Sequence, residues 1–303
     1  MGAPDGHRSA LVVVHATRAE ARGVGSRIAS GLMAAGFGVV VSEEDAEGLD
    51  LPGVRVVPGD EHAATGCEIV VVVGGDGTIL RAAERARGAR VPLLGVNLGR
   101  VGFLAEAERD DVSRVVDAIV ERTWHVEERV VLDVCIRHTD GGVSRTWALN
   151  EIAVEKAMPA KMIEVLVAID GHPLSRWGCD GVVCATPTGS TAYAFSAGGP
   201  IVWPEVEAVL VVPLSAHALF ARPLVVAPAS HISITLSPGS EPAVMSADGR
   251  RSLPIEAGAT VEVTRHATQV SFARVQDSPF TDRLVAKFDL PVEGWRAPEP
   301  DRP

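Results

Sequence analysis

Five apolar residues, Ile69-Val70-Val71-Val72-Val73, run without interruption into Gly74-Gly75-Asp76-Gly77-Thr78. Such a run reads as a strand buried on both faces, the situation of a parallel sheet. A parallel sheet needs crossover helices, and a helical stretch from Arg81 to Ala86 follows at once. The glycines let the backbone turn tightly and approach a ligand. The helix that opens next points unpaired N–H groups at the same spot, which suits a phosphate. Asp76 complicates that picture. A carboxylate beside phosphates repels them unless it takes a proton, touches a metal ion or binds a ligand hydroxyl.

The rest of the chain sets this stretch in an alternating pattern. Strands are expected at Ala10–His15, Phe37–Val41, Val54–Val57, Ile69–Val73 and Val91–Asn97, with helices at Arg18–Ala35 and Glu108–Arg122. Alternation of this kind predicts a doubly wound parallel sheet, an α/β domain. The pattern changes near Trp124. Strands are then expected at Arg129–His138, Val143–Leu149, Ile163–Ile169, Gly181–Ala185, Val209–Val212, Ile232–Leu236, Thr260–Thr264 and Val270–Val275, with few helices between them. The expected division is 1–125 for the α/β domain, 126–275 for a β-rich domain and 276–303 for a tail with a short helix at Thr281–Phe288.

Bulk properties exclude several functions. A formal charge of -11 disfavours nucleic acid and anionic membranes as partners. No stretch approaches the roughly 20 apolar residues of a membrane span. The first residues carry no basic segment ahead of an apolar core, and Cys67, Cys135, Cys179 and Cys184 form no C-x-x-C pair. Free thiols and a cytoplasmic location are the expectation.

The Gly-rich loop departs from better-known phosphate loops. No Gly-Lys-Ser/Thr follows it, so it is not a Walker A motif, and Leu80 stands where a dinucleotide fingerprint has its third glycine. A second dense stretch runs from Asp180 to Pro200. Thr186, Thr188, Ser190, Thr191 and Ser196 offer uncharged donors and acceptors around Tyr193, the only tyrosine. Helix capping and local side-chain-to-backbone bonds explain one or two such hydroxyls, but five less well. Asn150-Glu151 can accept from neighbouring hydroxyls, as a ribose presents them. Asn97 and Phe103 follow a strand at its carboxyl end, where α/β sheets hold ligands. Lys161 is one of only three lysines. Neither H-E-x-x-H nor Gly-x-Ser-x-Gly occurs.

Taken in order and spacing, Gly74 to Thr78, Asn150-Glu151 and Asp180 to Pro200 resemble the NAD kinases, in the form found in actinobacteria. The likeness extends over nearly the whole chain, including Val96–Glu106 and Asp277–Trp295. The first motif is shared with diacylglycerol kinases and phosphofructokinases; the long second motif is more specific. The resemblance implies the NAD kinase/diacylglycerol kinase-like superfamily fold, with a Rossmann-like N-terminal domain, a β-rich C-terminal domain and a tail returning to the first. It implies transfer of a phosphoryl group from ATP, or from polyphosphate in some members, to the adenosine ribose 2′-hydroxyl of NAD. It further implies a divalent metal ion, Mg²⁺ with Mn²⁺ as the alternative, and a homo-oligomer, dimer or tetramer.

Carried over by position, the resemblance makes Asp76 the general base, with Gly74, Gly75, Gly77 and Thr78 shaping the phosphate-facing backbone. Asn150 and Glu151 match residues that hold NAD, Phe103 the aromatic beside the adenine, and Asp180 and the run Thr191-Ala192-Tyr193-Ala194-Phe195-Ser196 the rest of that pocket. Arg81 and Lys161 stand at basic positions able to meet phosphates. Arg100 departs from a frequent histidine, and Asp248 is the nearest match to a late amide. A lipid or sugar kinase with the same loop, and a non-catalytic NAD-binding regulator, are the competing functions.

Overall fold

The computed structural model describes residues 8–47, 49, 51–99, 102–105, 107–108, 111–276 and 279–292. Arg100, Asp277 and the Pro-rich end beyond 292, each singled out from the sequence, lie outside the described residues. The chain divides into two units, Met1–Glu127 with Ser271–Pro303, and Glu128–Val270.

The first unit carries strands β1 (Ser9–Val14), β2 (Gly38–Ser42), β3 (Arg55–Val57), β4 (Ile69–Val73), β5 (Leu93–Asn97), β6 (Ala107–Glu108) and β7 (His125–Arg129). Its helices are α1 (Ala19–Ala34), α2 (Glu43–Ala46), α3 (Asp76–Ala86), α4 (Val112–Glu121) and, near the C-terminus, α6 (Phe280–Phe288). Together with β20 (Val270–Arg274) the strands form one sheet in the order β3-β2-β1-β4-β5-β20-β7, with β6 beside β5. The pairs from β3 through β5 to β20 are parallel. Strand alternation presents Ala10, Val12 and Val14 with Val71, Val73, Leu94 and Val96 to one side, where Val24, Ile28 and Leu32 of α1 and Val115 and Ile119 of α4 cover them. Leu11, Val13, Val70 and Val72 on the other face are equally inaccessible. Burial of both faces is why the run reads as continuously apolar.

The chain leaves β1 towards β2 and β3, then returns to place β4 on the opposite side of β1. The strand order therefore reverses between β1 and β4, and a crevice opens outside their carboxyl ends. The loop Gly74-Gly75 leaves β4 at that point. The helix after it starts at Asp76, earlier than the Arg81 start read from the sequence. Gly75, extended at φ -91° and ψ -174°, serves as its N-cap, so the aspartate belongs to the first helical turn.

The second unit is a sandwich of two six-stranded antiparallel sheets. One contains β8 (Leu132–Arg137), β9 (Val143–Ala148), β11 (Ile163–Ile169), β12 (His172–Cys179), β16 (Ile232–Leu236) and β19 (Thr260–Arg265). The other contains β10 (Glu151–Lys156), β13 (Gly181–Ala185), β14 (Val209–Leu214), β15 (Leu224–Val226), β17 (Ala243–Ala247) and β18 (Arg251–Ile255). Val134, Val165, Ile234 and Val261 of the first sheet share a core with Val154, Val182, Val211 and Met245 of the second, around the fully buried Trp177. The outer face of the second sheet presents Ala153, Val183, Ala185 and Val212, on which Ala194 and Val202 pack. That contact fixes the segment holding a 3₁₀ turn (Thr188–Thr191) and α5 (Tyr193–Ser196).

Two sequence expectations change here. The strand expected at Arg129–His138 is β8; Arg129 instead ends β7, a strand that was not expected and that belongs to a different sheet. In the second unit strands β10, β12, β15, β17 and β18 were not expected, and β12, β15 and β18 are sheet edges. Edge strands are short or tolerate proline, as Pro173 and Pro254 show.

Helix α3 is tied down by a buried ion network. Asp45, on α2, is 1% exposed; its Oδ2 accepts from Ser42 Oγ at 2.7 Å and Arg85 Nη1 at 2.5 Å, and its Oδ1 from Arg81 Nη2 at 3.1 Å. Arg81 and Arg85 are one helical turn apart. Asp45→Ala would take the buried acceptor from two largely buried guanidinium groups, leaving them Glu44, and is expected to cost about 3 kcal/mol. A urea titration should show the fall in midpoint, and Asp45→Asn, which keeps one acceptor, should lose less.

Candidate active site

In the first unit the site is built at the β1–β4 crevice. The Gly74 N–H donates to Val96 O at 3.0 Å, and a side chain at Gly74 would collide with Thr78, itself buried. Gly75 and Gly77 are different. Neither has a positive φ, and a Cβ built on either would meet nothing within 4 Å. No described neighbour requires glycine there, so the space is available for close approach of a ligand to backbone N–H groups.

Asp76 is partly exposed beside them, and two backbone groups hold its carboxylate. Oδ2 accepts from the Phe103 N–H at 3.1 Å and Oδ1 from the Leu104 N–H at 3.2 Å. Gly102 lies so close that a Cβ there would strike the same carboxylate. Each oxygen keeps a further lone pair, so the group is positioned and still able to accept a proton.

Three other predicted residues of this unit have local partners. Asn97, ending β5, accepts from the Leu98 N–H at 2.9 Å. Arg81, expected to meet phosphate, donates to Val14 O and Asp45, with Glu44 Oε2 3.7 Å away, so its charge is largely matched within the chain. Phe103, expected beside an adenine, is 8% exposed, with its ring 5.7 Å from Phe280 and 6.1 Å from Phe288. Stacking of a base on that ring would require opening the aromatic cluster.

In the second unit Asn150 and Glu151 form a buried polar corner at the start of β10. Asn150 Oδ1 and Glu151 Oε2 are both buried without a hydrogen-bond partner. The corner is held by Asp248, which opens the three-residue β17–β18 turn, Asp248 to Arg250; Asp248 and Gly249 both have positive φ. Asp248 accepts from the N–H groups of Leu149, Asn150 and Glu151 at 3.0, 2.7 and 3.4 Å, and from Arg251 Nη2 at 2.7 Å. Thr186 stitches the other side, its hydroxyl donating to Leu149 O at 2.6 Å. Gly189 rides so close to Asn150 O that any Cβ would overlap it. Of the five hydroxyls, those of Thr186, Ser190 and Thr191 thus bond to backbone, only that of Thr191 locally.

Burial, and after it the Asp248 carboxylate, push Glu151 up to about 7, against a lowering by the Tyr193 backbone N–H. Asp248 is raised as well, chiefly by burial. From Tyr193 the site continues into a cavity of about 600 Å³ lined among others by Glu155, Lys156, Asp180, Tyr193, Ser196 and Ser215. Tyr193 Oη donates to Glu155 Oε1 at 2.7 Å, and burial followed by that bond raises its pKa to about 12. Lys156 Nζ lies 2.6 Å from Asp180 Oδ1 and lowers the Asp180 pKa. Ala194 is fully buried against the sheet and acts as an anchor, whereas Phe195 is 39% exposed.

The cation of this cavity is Lys156. Lys161, expected to meet phosphate, pairs with Glu241 at 2.5 Å on a side chain 60% exposed. Sequence reading passed over Glu155 and Lys156, although the period of two along β10 puts Glu155 on the same face as Glu151. It also gave Asp248 little weight, although Asp-Gly is a hairpin signal.

A model of the ATP-NAD kinase N-terminal domain matches residues 11–124, and one of the ATP-NAD kinase C-terminal domain matches residues 149–275. The chain is 54% identical over 292 residues to NAD kinase 2 of Streptomyces coelicolor, covering 95% of this chain and 97% of that one. It is 50% identical over 302 residues to NAD kinase of Mycobacterium tuberculosis, covering 96% and 98%. Among solved structures it resembles yeast NADH kinase complexed with NADH, with TM-score 0.82 and 25% identity over 95% of this chain and 88% of that one. It also resembles an NAD kinase from Archaeoglobus fulgidus in complex with ATP, with TM-score 0.71 and 29% identity over 93% and 98%.

The buried acid of the second unit has a measurable signature. Between the ordinary carboxylate value of 4.5 and about 7, folded Glu151 keeps a proton that the unfolded chain releases. Its contribution to stability therefore falls as pH rises through that window. Glu151→Gln should be more stable than the parent at pH 8 and show no such advantage at pH 4.5. Urea midpoints at the two pH values check this; an equal difference at both would remove the acid from the account.

Proposed function

We propose that this chain, which belongs to the NAD kinase family, transfers the terminal phosphoryl group of ATP to the adenosine ribose 2′-hydroxyl of NAD, giving NADP. The observation that carries the mechanism is Asp76: a carboxylate held by two backbone N–H groups at a sheet's topological switch point, beside two glycines that face open space. A ribose hydroxyl must lose a proton as it attacks phosphorus, and a fixed carboxylate can take it. The remaining work of such a reaction is positioning and charge neutralisation. The backbone of Gly75 to Thr78 serves the phosphates. The orphaned acceptors of Asn150 and Glu151 suit the hydroxyls of a ribose, and the cavity at Asp180, Tyr193 and Ser196 suits the remainder of the dinucleotide.

Among the described residues no group of three or more His, Cys, Asp or Glu could hold a metal ion. A Mg²⁺ or Mn²⁺ ion bound chiefly by nucleotide phosphates would need only one or two carboxylates from the protein. When bound it would neutralise phosphate charge beside Asp76. Polyphosphate as donor is part of the same proposal, because a loop that grips phosphates through backbone has little means of reading a base. Neither a lipid or sugar kinase nor a non-catalytic regulator is supported by relatives at 50% identity or above that are NAD kinases.

A homo-oligomer, dimer or tetramer, is also proposed. Its support is apolar surface on the second unit, where Leu219 is fully exposed and Phe220, Leu174 and Met162 are 40–50% exposed or slightly more. Among the described residues no helix is long and apolar enough to cross a membrane, and all four cysteines are free. Free thiols support the cytoplasm as the compartment.

Purified protein with Mg²⁺, ATP and NAD should form NADP. Asp76→Asn is expected to lower kcat by about 10²–10⁴-fold while NAD still binds by calorimetry; a variant that kept its rate would exclude Asp76 as the base. Sedimentation velocity at micromolar concentration should give at least the mass of a dimer, and a monomer would remove the assembly proposal.

A further inference from the structure

The two donors that hold Asp76 belong to a loop that the C-terminal segment grips from the other side. The Phe103–Leu104 peptide is a rigid plane whose carbonyl and N–H point in opposite directions. Its N–H, that of Leu104, donates to Asp76 Oδ1 at 3.2 Å, and its carbonyl, that of Phe103, accepts from Arg283 Nη1 at 2.9 Å. One planar group therefore links Arg283 to the carboxylate. The next carbonyl, of Leu104, accepts from Arg274 Nη1 at 3.3 Å, and Arg274 is itself fixed by Glu127 Oε2 at 2.5 Å.

Arg283 lies on α6 (Phe280–Phe288), and the same helix also holds the Phe103 side chain. Phe280, Leu284 and Phe288 recur every four residues and so share a stripe of the helix. Phe280 and Phe288 meet the Phe103 ring, and Leu284 is 7% exposed. Ring and carbonyl of one residue are thus fastened to one helix, more than 170 residues away along the chain.

We propose that α6 sets the position of Asp76, with Arg283 as a positioning residue that acts through the Phe103–Leu104 peptide. The proposal rests on Asp76 being the general base. A base displaced by about 1 Å loses on the order of 10²-fold in rate without any change in its chemistry. Rotation of this peptide plane, once Arg283 releases the carbonyl, produces a displacement of that kind. Substrate contacts elsewhere are untouched, so the loss belongs to kcat and not to KM.

The test compares Arg283→Ala, Arg283→Lys and Phe288→Leu with the parent in NADP formation and in hydrogen exchange. Arg283→Ala should lower kcat about 10- to 100-fold with KM for ATP and NAD within about twofold. The amides of Phe103 and Leu104 should exchange faster while those of β4 keep their protection. Arg283→Lys, which can still donate to the Phe103 carbonyl, should recover most of the rate, and Phe288→Leu should lose less than Arg283→Ala. Parental kcat in Arg283→Ala would overturn the proposal. So would a loss that Lys does not rescue, or one accompanied by lost protection throughout β4. The base assignment is judged separately: Asp76→Asn keeping its rate sinks that reading, whereas Asp76→Asn losing its rate with Arg283→Ala unaffected sinks only the role of α6.

Discussion

A carboxylate at the first turn of a helix, with its two oxygens on two successive backbone N–H groups, is the fixed point of the first unit. The helix N-terminus favours a negative charge there by a few tenths of a kcal/mol to about 1 kcal/mol. That field alone would leave the side chain free to rotate. The peptides of 102–104 remove that freedom, since backbone donors are fixed by the chain on both sides and need no reorganisation when charge moves. A side-chain donor such as lysine would hold the carboxylate equally well but would also compete for its proton-accepting lone pairs. Backbone N–H groups orient the acid and leave its charge in place.

The second unit solves the opposite problem with similar parts. Its polar corner buries Asn150 Oδ1 and Glu151 Oε2 without partners, and burying unmet acceptors is costly. Asp248 offsets part of that cost by taking up three consecutive backbone N–H groups, which pins Asn150 and Glu151 in place. The consequence is two carboxylates close together in a dry site, and Glu151 keeps its proton to about 7. A protonated glutamic acid can donate as well as accept, so near neutrality the corner can meet a hydroxyl in either sense.

How much of this was legible follows from what each residue answers to. The run Ile69–Val73 answers to burial on both faces, and the loop after it to local chain geometry, so both could be read directly. Asp180, Tyr193 and Ser196 were reachable because they crowd into one short stretch. Phe103 and Arg81 were placed at the right loop and helix, but their partners, Phe280 and Phe288 for one and Asp45 for the other, lie more than 30 residues away in the chain. Nothing local shows whether a ring is already covered or a charge already matched. The same limit hid Lys156: its role depends on Asp180, which becomes its neighbour only when β13 pairs with β10. Edge strands such as β12 and β18 escaped for a different reason, because half-exposed strands carry proline and polar residues that read as turns.

The matched charge of Arg81 has a consequence for how phosphate would be held. A guanidinium bonded to Asp45 and near Glu44 presents little net positive potential, and Arg85 beside it is bonded to the same two acids. These arginines therefore stiffen α3 and do not supply the charge that a triphosphate needs. Helix α3 begins with an aspartate, which opposes the favourable field of its own N-terminus. Donor hydrogen bonds from the open Gly75–Thr78 backbone can orient phosphate oxygens, but orientation does not cancel the repulsion between Asp76 and a polyanion a few ångströms away. A cation travelling with the phosphates would resolve this, because it would bring its compensation only when substrate is present. Asp76 would then face a screened phosphate in the complex, the condition under which a carboxylate can serve as base toward a hydroxyl that attacks phosphorus.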